Sequence, residues 1–370
     1  MLEKVPMSAN PSHRNLLHRF VVLACGFWRG PTRRTAWLLS LGFLACLIAN
    51  MMVVIGFNQW NKFFFDALQL GDRTALQWSI AFILALALCT AITSTAGIQT
   101  RMRLQLHWRK WLTETLIARW LHNRPIEHIE MMRAVDNPEA RIADDGRIAV
   151  ELFVDLAGGI INTILLSTSL ILVLWYVGGG INLGGVTIQG YFVIAVFVYS
   201  AATSLAMYRL GWPLVRRVEE KAAREGDFRY ALMRTREKSD ANSLDNGELS
   251  ELRMLGVSFS ALAGRWLEMI TRQTQMMVLS SSNNLLAPTI PLFLGVPKFL
   301  SGSMTLGDLM QVAAAFLQVH AALNWLADNA LSLANWSASA RRVAALDLAY
   351  QELEKVEPAV AGRPHPSASR

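Results

Sequence analysis

The sequence predicts an all-α membrane protein: six transmembrane helices with long cytoplasmic helical extensions. Three observations carry this expectation. Of 370 residues, 53% are apolar and only 17% charged, against about 25% charged in an ordinary soluble domain. With a mean hydropathy of +0.30, the chain fits neither a water-soluble surface nor a disordered segment. Several apolar windows reach the ~20 residues that cross a ~30 Å hydrocarbon core at a rise of ~1.5 Å per residue. Finally, 32 of the 35 Lys and Arg fall in alternate connections between those windows.

The windows are 36–57, 76–98, 152–177, 191–208, 276–300 and 306–326. Asp155 is the one ionised group of the third, and Asp308 stands at the entrance of the sixth. Pro288, Pro291 and Pro297 must kink or interrupt the fifth, since each removes a backbone donor. The segment before residue 36 carries six basic residues, the connection after the second window nine, that after the fourth twelve and the tail five, whereas the other side holds only Lys62, Arg73 and Lys298. By the positive-inside rule both termini are cytoplasmic. The net charge of +7 and pI of 9.6 then reflect topology, and no nucleic-acid partner is expected.

Residues 1–35 read as a cytoplasmic N-terminal segment without a signal peptide, because Arg29, Arg33 and Arg34 directly precede the first window and no small-residue cleavage site is present. Within it 15–28 is a candidate interfacial helix, with Phe20, Val21, Val22, Leu23 and Phe27 on its apolar side. Residues 36–345 form the six-helix domain and 346–370 a cytoplasmic tail, expected to be disordered after Lys355. Cys25, Cys46 and Cys89 lie singly, and His128 and Glu130 are close together and isolated, so neither a disulfide nor a metal site is read. No nucleophile stands at a readable spacing from a base, so no enzymatic step on a covalent bond is expected.

The two inward connections, about 53 and 67 residues long, exceed ordinary loops. From 101 to 121 the chain lacks Gly and Pro and places Leu104, Leu112, Leu116, Ile117 and Trp120 at helical spacing, so the second crossing continues into the cytoplasm. Pro125 ends it, and Asp136-Asn137-Pro138 restarts a helix that leads into the third crossing. Gly211-Trp212-Pro213 marks a kink or turn, 214–239 resumes helical periodicity, and Asp245-Asn246-Gly247 is the next turn signal.

Five motifs, in order, then carry a resemblance. They are Asn58-Gln59-Trp60-Asn61-Lys62-Phe63-Phe64-Phe65-Asp66-Ala67-Leu68-Gln69, Trp108-Arg109-Lys110-Trp111-Leu112-Thr113, Asp136-Asn137-Pro138-Glu139-Ala140-Arg141-Ile142, Glu225-Gly226-Asp227-Phe228-Arg229 with Arg234, Arg236 and Glu237, and Leu306-Gly307-Asp308-Leu309-Met310-Gln311 with Ala315-Phe316. Over 36–345 the chain resembles the transmembrane domain of an ABC exporter of the subfamily D and SbmA/BacA-like peptide transporter branch. The resemblance implies a homodimer in a bacterial-type inner membrane, with each inward hairpin tip pressing on a nucleotide-binding domain. The coupling candidates it implies are Asp136, Asn137, Pro138 and Arg141 at the first tip, and Glu225, Asp227, Arg229, Glu237 and Glu248 at the second. Read from the residues alone, the first group simply starts a helix and the rest form a solvated charged face.

No GxxxxGK[ST] phosphate loop occurs in the sequence, and Gly178-Gly179-Gly180 and Gly184-Gly185 lie in an outward turn with no following Lys. ATP is therefore a cofactor only through a separate nucleotide-binding subunit. Two transport readings stay open: an ABC-type permease half for peptides or similar bulky amphipathic solutes, and proton-driven peptide uptake of the SbmA/BacA kind. A third is a non-transporting scaffold or regulatory subunit. Proton coupling needs carboxyls in a low-dielectric cavity, for which Glu151, Asp155 and Asp308 are candidates, with Asp328 further along. Against this, Glu151 and Asp155 sit at the membrane edge, and Asp308 pairs naturally with Thr305 as a cap. Mid-helix polar residues mark the solute cavity: Asn162 and Thr163 on the third crossing, Asn283 and Asn284 on the fifth, Gln311, Gln318, His320 and Asn324 on the sixth. Gln311, Gln318 and, less closely, Asn324 share a face. Trp325 and Trp336 could stack on a bulky solute, although interfacial anchoring is the commoner use of Trp.

Overall fold

The computed structural model of the chain describes residues 13–122, 137–183, 186–241 and 248–361. In chain order it contains α1 (His13–Arg29), α2 (Arg33–Leu70), α3 (Arg73–His122), α4 (Pro138–Tyr176), β1 (Gly180–Leu183), β2 (Val186–Gln189), α5 (Tyr191–Ala241), α6 (Glu248–Leu300), α7 (Leu306–Asp328) and α8 (Ala330–Ala361). The expected all-α membrane fold is what forms. Five helical stretches are long and apolar enough to cross a membrane: α2, α3, α4, α5 and Leu306–Gln351. The remaining expected crossing, the fifth at 276–300, lies inside the 53-residue α6 but is not apolar enough by the same measure. Three serines at 280–282, Asn283, Asn284 and three prolines dilute it.

Two local expectations, each of a kink or a break, resolve as continuous helix, and one needs correction. Gly211-Trp212-Pro213 does not break the chain, and α5 runs on through Pro213. The three prolines of α6 likewise leave one unbroken helix. Only a proline's own N–H is missing from the ladder, and the flanking turns carry the helix across. The tail is helical past Lys355, since α8 extends to Ala361. The glycine-rich turn after α4 is also more ordered than a plain turn. β1 and β2 pair antiparallel with Gly180 opposite Gln189, and Lys298 Nζ donates to the Gly178 carbonyl at 2.6 Å. Gly190, at φ 64°, has to be glycine, because a Cβ there would come within 2.4 Å of the Trp175 ring.

The described residues fall into two compact units. The first is built from the chain up to Ser169 and the chain from Asp328 onward. Its core joins α1, α3, α4 and α8 through Phe20, Phe27, Trp108, Leu112, Leu116, Val150, Val343 and Tyr350. Aromatic rings run through it: Trp108 lies 5.0 Å from Trp28 and 5.2 Å from Phe153, which lies 5.8 Å from Trp336. The apolar side expected of the N-terminal helix is thus divided. Phe20 and Phe27 enter this protein core, and Val21 and Val22 remain exposed. The stalk stripe divides too, with Leu104, Leu112 and Leu116 buried and Ile117 exposed. Leu38, Leu41, Leu84, Leu88 and Ile92 are exposed on α2 and α3, as apolar side chains in a lipid-facing span are. At the far end of that pair Trp60 Nε1 donates to the Ser79 carbonyl at 2.9 Å.

The second unit is Leu170–Ala327. Leu170, Leu174, Phe192, Val196, Leu309, Val312, Phe316 and Val319 form its core. Below it α5 and α6 run side by side as a charged stalk, where Arg217 bridges Glu220 at 2.8 Å and Glu268 at 2.5 Å, and Arg265 reaches both carboxylates. Partial burial works to raise the Glu220 carboxyl, but hydrogen bonds and charge from Arg217, with Arg216 and Arg265, outweigh it and hold it below the usual carboxylate range.

Candidate functional site

In the second unit a polar cluster interrupts otherwise apolar helices. Tyr199, Ser200 and Ser204 come from α5, Asn283 from α6, and His320 and Asn324 from α7. The Tyr199 hydroxyl donates to Asn283 Oδ1 at 2.6 Å, and the Ser204 hydroxyl to Asn324 Oδ1 at 2.6 Å. Asn324 Nδ2 lies 3.1 Å from His320 Nε2, and the Ser200 hydroxyl lies 2.8 Å from Nδ1. Ser200 and His320 are 4% and 5% exposed. An unmade hydrogen bond is costly in an apolar setting, so this chain of partners ties three helices together and fixes which way each polar tip points.

The sequence expectations map onto this cluster unevenly. Asn283 and Asn324 are in it, whereas Asn284 is exposed. Asn324 leaves the face assigned to it: at ~100° per residue Gln318 lies within ~20° of Gln311, but Asn324 lies ~140° away, and it bonds His320 one turn back. Gln311 is buried at 5% exposure, and Gln318 and Trp325 are half-buried. Asn162 and Thr163 belong to the first unit, where both are half-buried and the Thr163 carbonyl accepts the Ser167 hydroxyl at 2.5 Å. Tyr199, Ser200 and Ser204 were not singled out from sequence. Hydroxyls are cheap in membrane helices because each can bond its own backbone, as Thr203 does to the Tyr199 carbonyl at 3.0 Å; only their tertiary partners distinguish them.

The carboxylate candidates have other partners. Asp155 takes Arg101 Nη1 at 3.3 Å and Gln105 Nε2 at 2.9 Å, and Glu151 takes Arg147 Nη1 at 3.4 Å. Their side chains are 42% and 38% exposed. Asp308 accepts the Thr305 N–H at 3.2 Å and donates its own N–H to Thr305 Oγ1 at 3.0 Å, a reciprocal cap at the start of α7. Asp328 is exposed at the other end. Trp336 packs within the aromatic core of the first unit.

Among the coupling candidates, Asp136 lies outside the described residues. Asn137 caps α4 at φ 48°, Pro138 takes the first turn, and Arg141 opens a π turn, Arg141–Asp145. That turn holds a buried clamp. Arg342 of α8 donates to Asp145 at 2.7 Å from Nε and 2.6 Å from Nη2, and the Ser339 hydroxyl adds a third bond at 3.0 Å. The hydrogen bonds it donates to Asp145 push the Arg342 guanidinium above its usual range, against partial desolvation. Arg119 pairs in the same way with Asp347, which also accepts Gln351 Nε2 at 2.9 Å. Sequence reasoning missed both pairs, since their partners are about 200 residues apart. On α5, Glu225 and Asp227 are exposed and, among the described residues, make local pairs with Lys221 and Arg224. Arg229 and Glu237 are exposed as well, while the side chain of Glu248, which begins α6, lies outside the described set. Among the described residues no cluster of metal-ligating side chains occurs.

Membrane-length helices that meet in a hydrogen-bonded polar cluster and continue into long charged extensions make this a multi-helix membrane domain. Residues 29–299 match the family described as ABC transporter transmembrane region 2, and the chain belongs to that family. It is 26% identical to the Escherichia coli protein named inner membrane ABC transporter ATP-binding protein YddA, over 84% of this chain and 57% of that one. An uncharacterized ABC transporter ATP-binding protein of Haemophilus influenzae is 26% identical over 76% of this chain and 49% of its own. The Arabidopsis thaliana ABC transporter D family member 2, chloroplastic, is 22% identical over 82% and 41%. The chain spans about half the length of these curated relatives.

Proposed function

We propose that the chain is the membrane permease half of an ABC-type transporter that moves peptides or similar bulky amphipathic solutes across the inner membrane. Two copies assemble around one path, and ATP is hydrolysed on nucleotide-binding domains outside these residues. The family match over 29–299 carries this reading, and the relatives named as ATP-binding proteins support its energy source. Both termini face the cytoplasm, as the 32 of 35 basic residues in alternate connections favour. The polar cluster of α5, α6 and α7 lines part of the path, with the aromatic face of Tyr199 and the amide of Asn283 matched to amphipathic solutes.

The proton-driven alternative draws less support, because Glu151 and Asp155 are paired with arginine and Asp308 is held in a cap. The test is flux of a fluorescein-labelled amphipathic decapeptide into inverted vesicles that hold this chain with a co-expressed nucleotide-binding partner. Flux that requires ATP and stops with vanadate is expected. Flux that collapses with a protonophore and ignores ATP depletion, or no flux with any partner, overturns the reading.

A further inference from the structure

Between α1, α3 and α8, wholly inside the first unit, lies a partly open cavity of about 530 Å³, within the ~300–1,000 Å³ of small-molecule sites. The residues that α1 and α8 contribute to it lie outside the matched stretch 29–299. Its lining divides into an apolar wall and a set of hydrogen-bond donors. The wall is Val22 and Leu23 of α1 with the Trp111 indole of α3. Gly26 lets that indole lie against α1, because a Cβ there would come within 2.8 Å of the ring. The donors are guanidinium groups. Arg119 places Nη1 on Asp347, and Gln351 Nε2 donates to the other oxygen of that carboxylate at 2.9 Å. Asp347 is 7% exposed, and with both oxygens engaged it orients the Arg119 fork rather than presenting a bare negative charge. Arg19 faces the same space from α1, a helix without Asp or Glu. Among the described residues that line the cavity, Arg19 and Arg119 thus outweigh Asp347 and leave an excess of positive charge. We propose that this cavity binds a small soluble organic anion, its flat apolar body against Trp111, Val22 and Leu23 and its phosphate or carboxylate on Arg19 and Arg119.

The chemistry of the lining carries that choice of ligand. A guanidinium fork matches two oxygens of a phosphate or carboxylate at once, and an indole offers a broad apolar surface to a flat ring. Position selects a soluble anion over a lipid headgroup. Trp111 and Arg119 stand on the unbroken α3 well past residue 98, where the apolar window ends. At ~1.5 Å per residue they lie about 20 and 30 Å of helix beyond it. The polar layer on one side of a bilayer is only ~5–8 Å deep, so headgroups end short of the cavity.

The inference stands apart from the transport reading and needs no transported solute. The probe is naphthyl phosphate, titrated by equilibrium dialysis and read by its own fluorescence. The full chain is held in phosphatidylcholine nanodiscs at pH ~7.5, where the ester carries most of its second charge, and empty discs correct for uptake by lipid. Saturable binding of one probe per chain, with Kd below ~1 mM, is expected. Arg19→Gln removes a charge-assisted contact from an exposed position and should weaken binding at least ~10-fold. Arg29→Gln removes the same charge from the same helix outside the cavity lining and should stay within ~2-fold. Val22→Trp keeps every charge and crowds the apolar wall, so it should weaken binding at least ~3-fold. Replacing a third of the lipid with phosphatidylglycerol should leave Kd within ~3-fold. The proposal is overturned by the absence of saturable binding up to ~5 mM, by equal losses in Arg19→Gln and Arg29→Gln, or by an unaffected Val22→Trp. A Kd that rises more than ~10-fold with phosphatidylglycerol assigns the site to a lipid headgroup and overturns it as well.

Discussion

Removing Arg342 should harm the first unit more than removing the partner it binds, although Arg342 is the more exposed of the two. The Asp145 side chain is 12% exposed and that of Arg342 48%. Arg342→Ala strips two charge-assisted bonds from a buried carboxylate and leaves it the Ser339 hydroxyl. A buried pair broken in this way costs about 3–5 kcal/mol; partial solvent access and the surviving Ser339 bond place this case at the low end, about 3 kcal/mol. Asp145→Ala leaves a half-exposed guanidinium that water can take over, so about 1–2 kcal/mol is expected. The double variant should be more stable than Arg342→Ala alone, because it removes the stranded charge. Thermal unfolding in detergent gives the ordering, and amide exchange over 142–150 shows whether the loss is local. Glu114→Ala, which breaks the exposed Lys110–Glu114 pair, is the control and should stay within ~0.5 kcal/mol. If the two single variants cost the same and the double is their sum, the clamp is an ordinary surface pair and the reasoning fails.

Burial pushes the Tyr350 phenol up to about 12. The unfolded chain loses its proton near pH ~10 while the folded chain keeps it, so stability from this group is complete below ~10 and is lost as pH rises to about 12. Absorbance at the tyrosinate band should show a late-ionising component that shrinks by one tyrosine in Tyr350→Phe. Trp108→Ala opens the middle of the aromatic core and should cost about 3–5 kcal/mol, read as a lower thermal midpoint; a change under ~1 kcal/mol would show that the ring is not packed as described. Gly190→Ala adds a Cβ against Trp175 at a positive φ and should destabilise the hairpin by at least ~1–2 kcal/mol, seen as faster amide exchange over 180–189, whereas Gly302→Ala, with open space around it, should carry only the cost of its φ.

Most of the fold was legible in the sequence because crossing a membrane is a one-dimensional requirement. Enough consecutive apolar residues identify a span, whatever it packs against. The stretch 276–300 escapes that logic, since its asparagines and prolines are tolerated by neighbours rather than by its own hydropathy. Helix punctuation was less reliable. Pro213 and the three prolines of α6 each read as a kink or a break, and the helix runs on through them, since a long helix absorbs the loss of single hydrogen bonds. Of the candidate site, Asn283, His320 and Asn324 were visible as polar residues in an apolar run. Their partners Tyr199, Ser200 and Ser204 were not, because a hydroxyl in a helix looks the same whether it serves its own backbone or another helix.

Residue order alone settled the class of protein, the positions of five spans and the asymmetry of charge, since each depends on counting along the chain. It also held the five in-order motifs that carried the resemblance, four of them inside the matched residues 29–299. Tertiary structure decided which polar groups meet. It put arginine on Glu151 and Asp155, a cap on Asp308, Ser200 and Asn324 on His320, and Arg342 on Asp145. Those pairings depend on helix rotation and on contacts up to about 200 residues apart, and a rotation of one residue, ~100°, would reassign every one of them without altering a single apolar count.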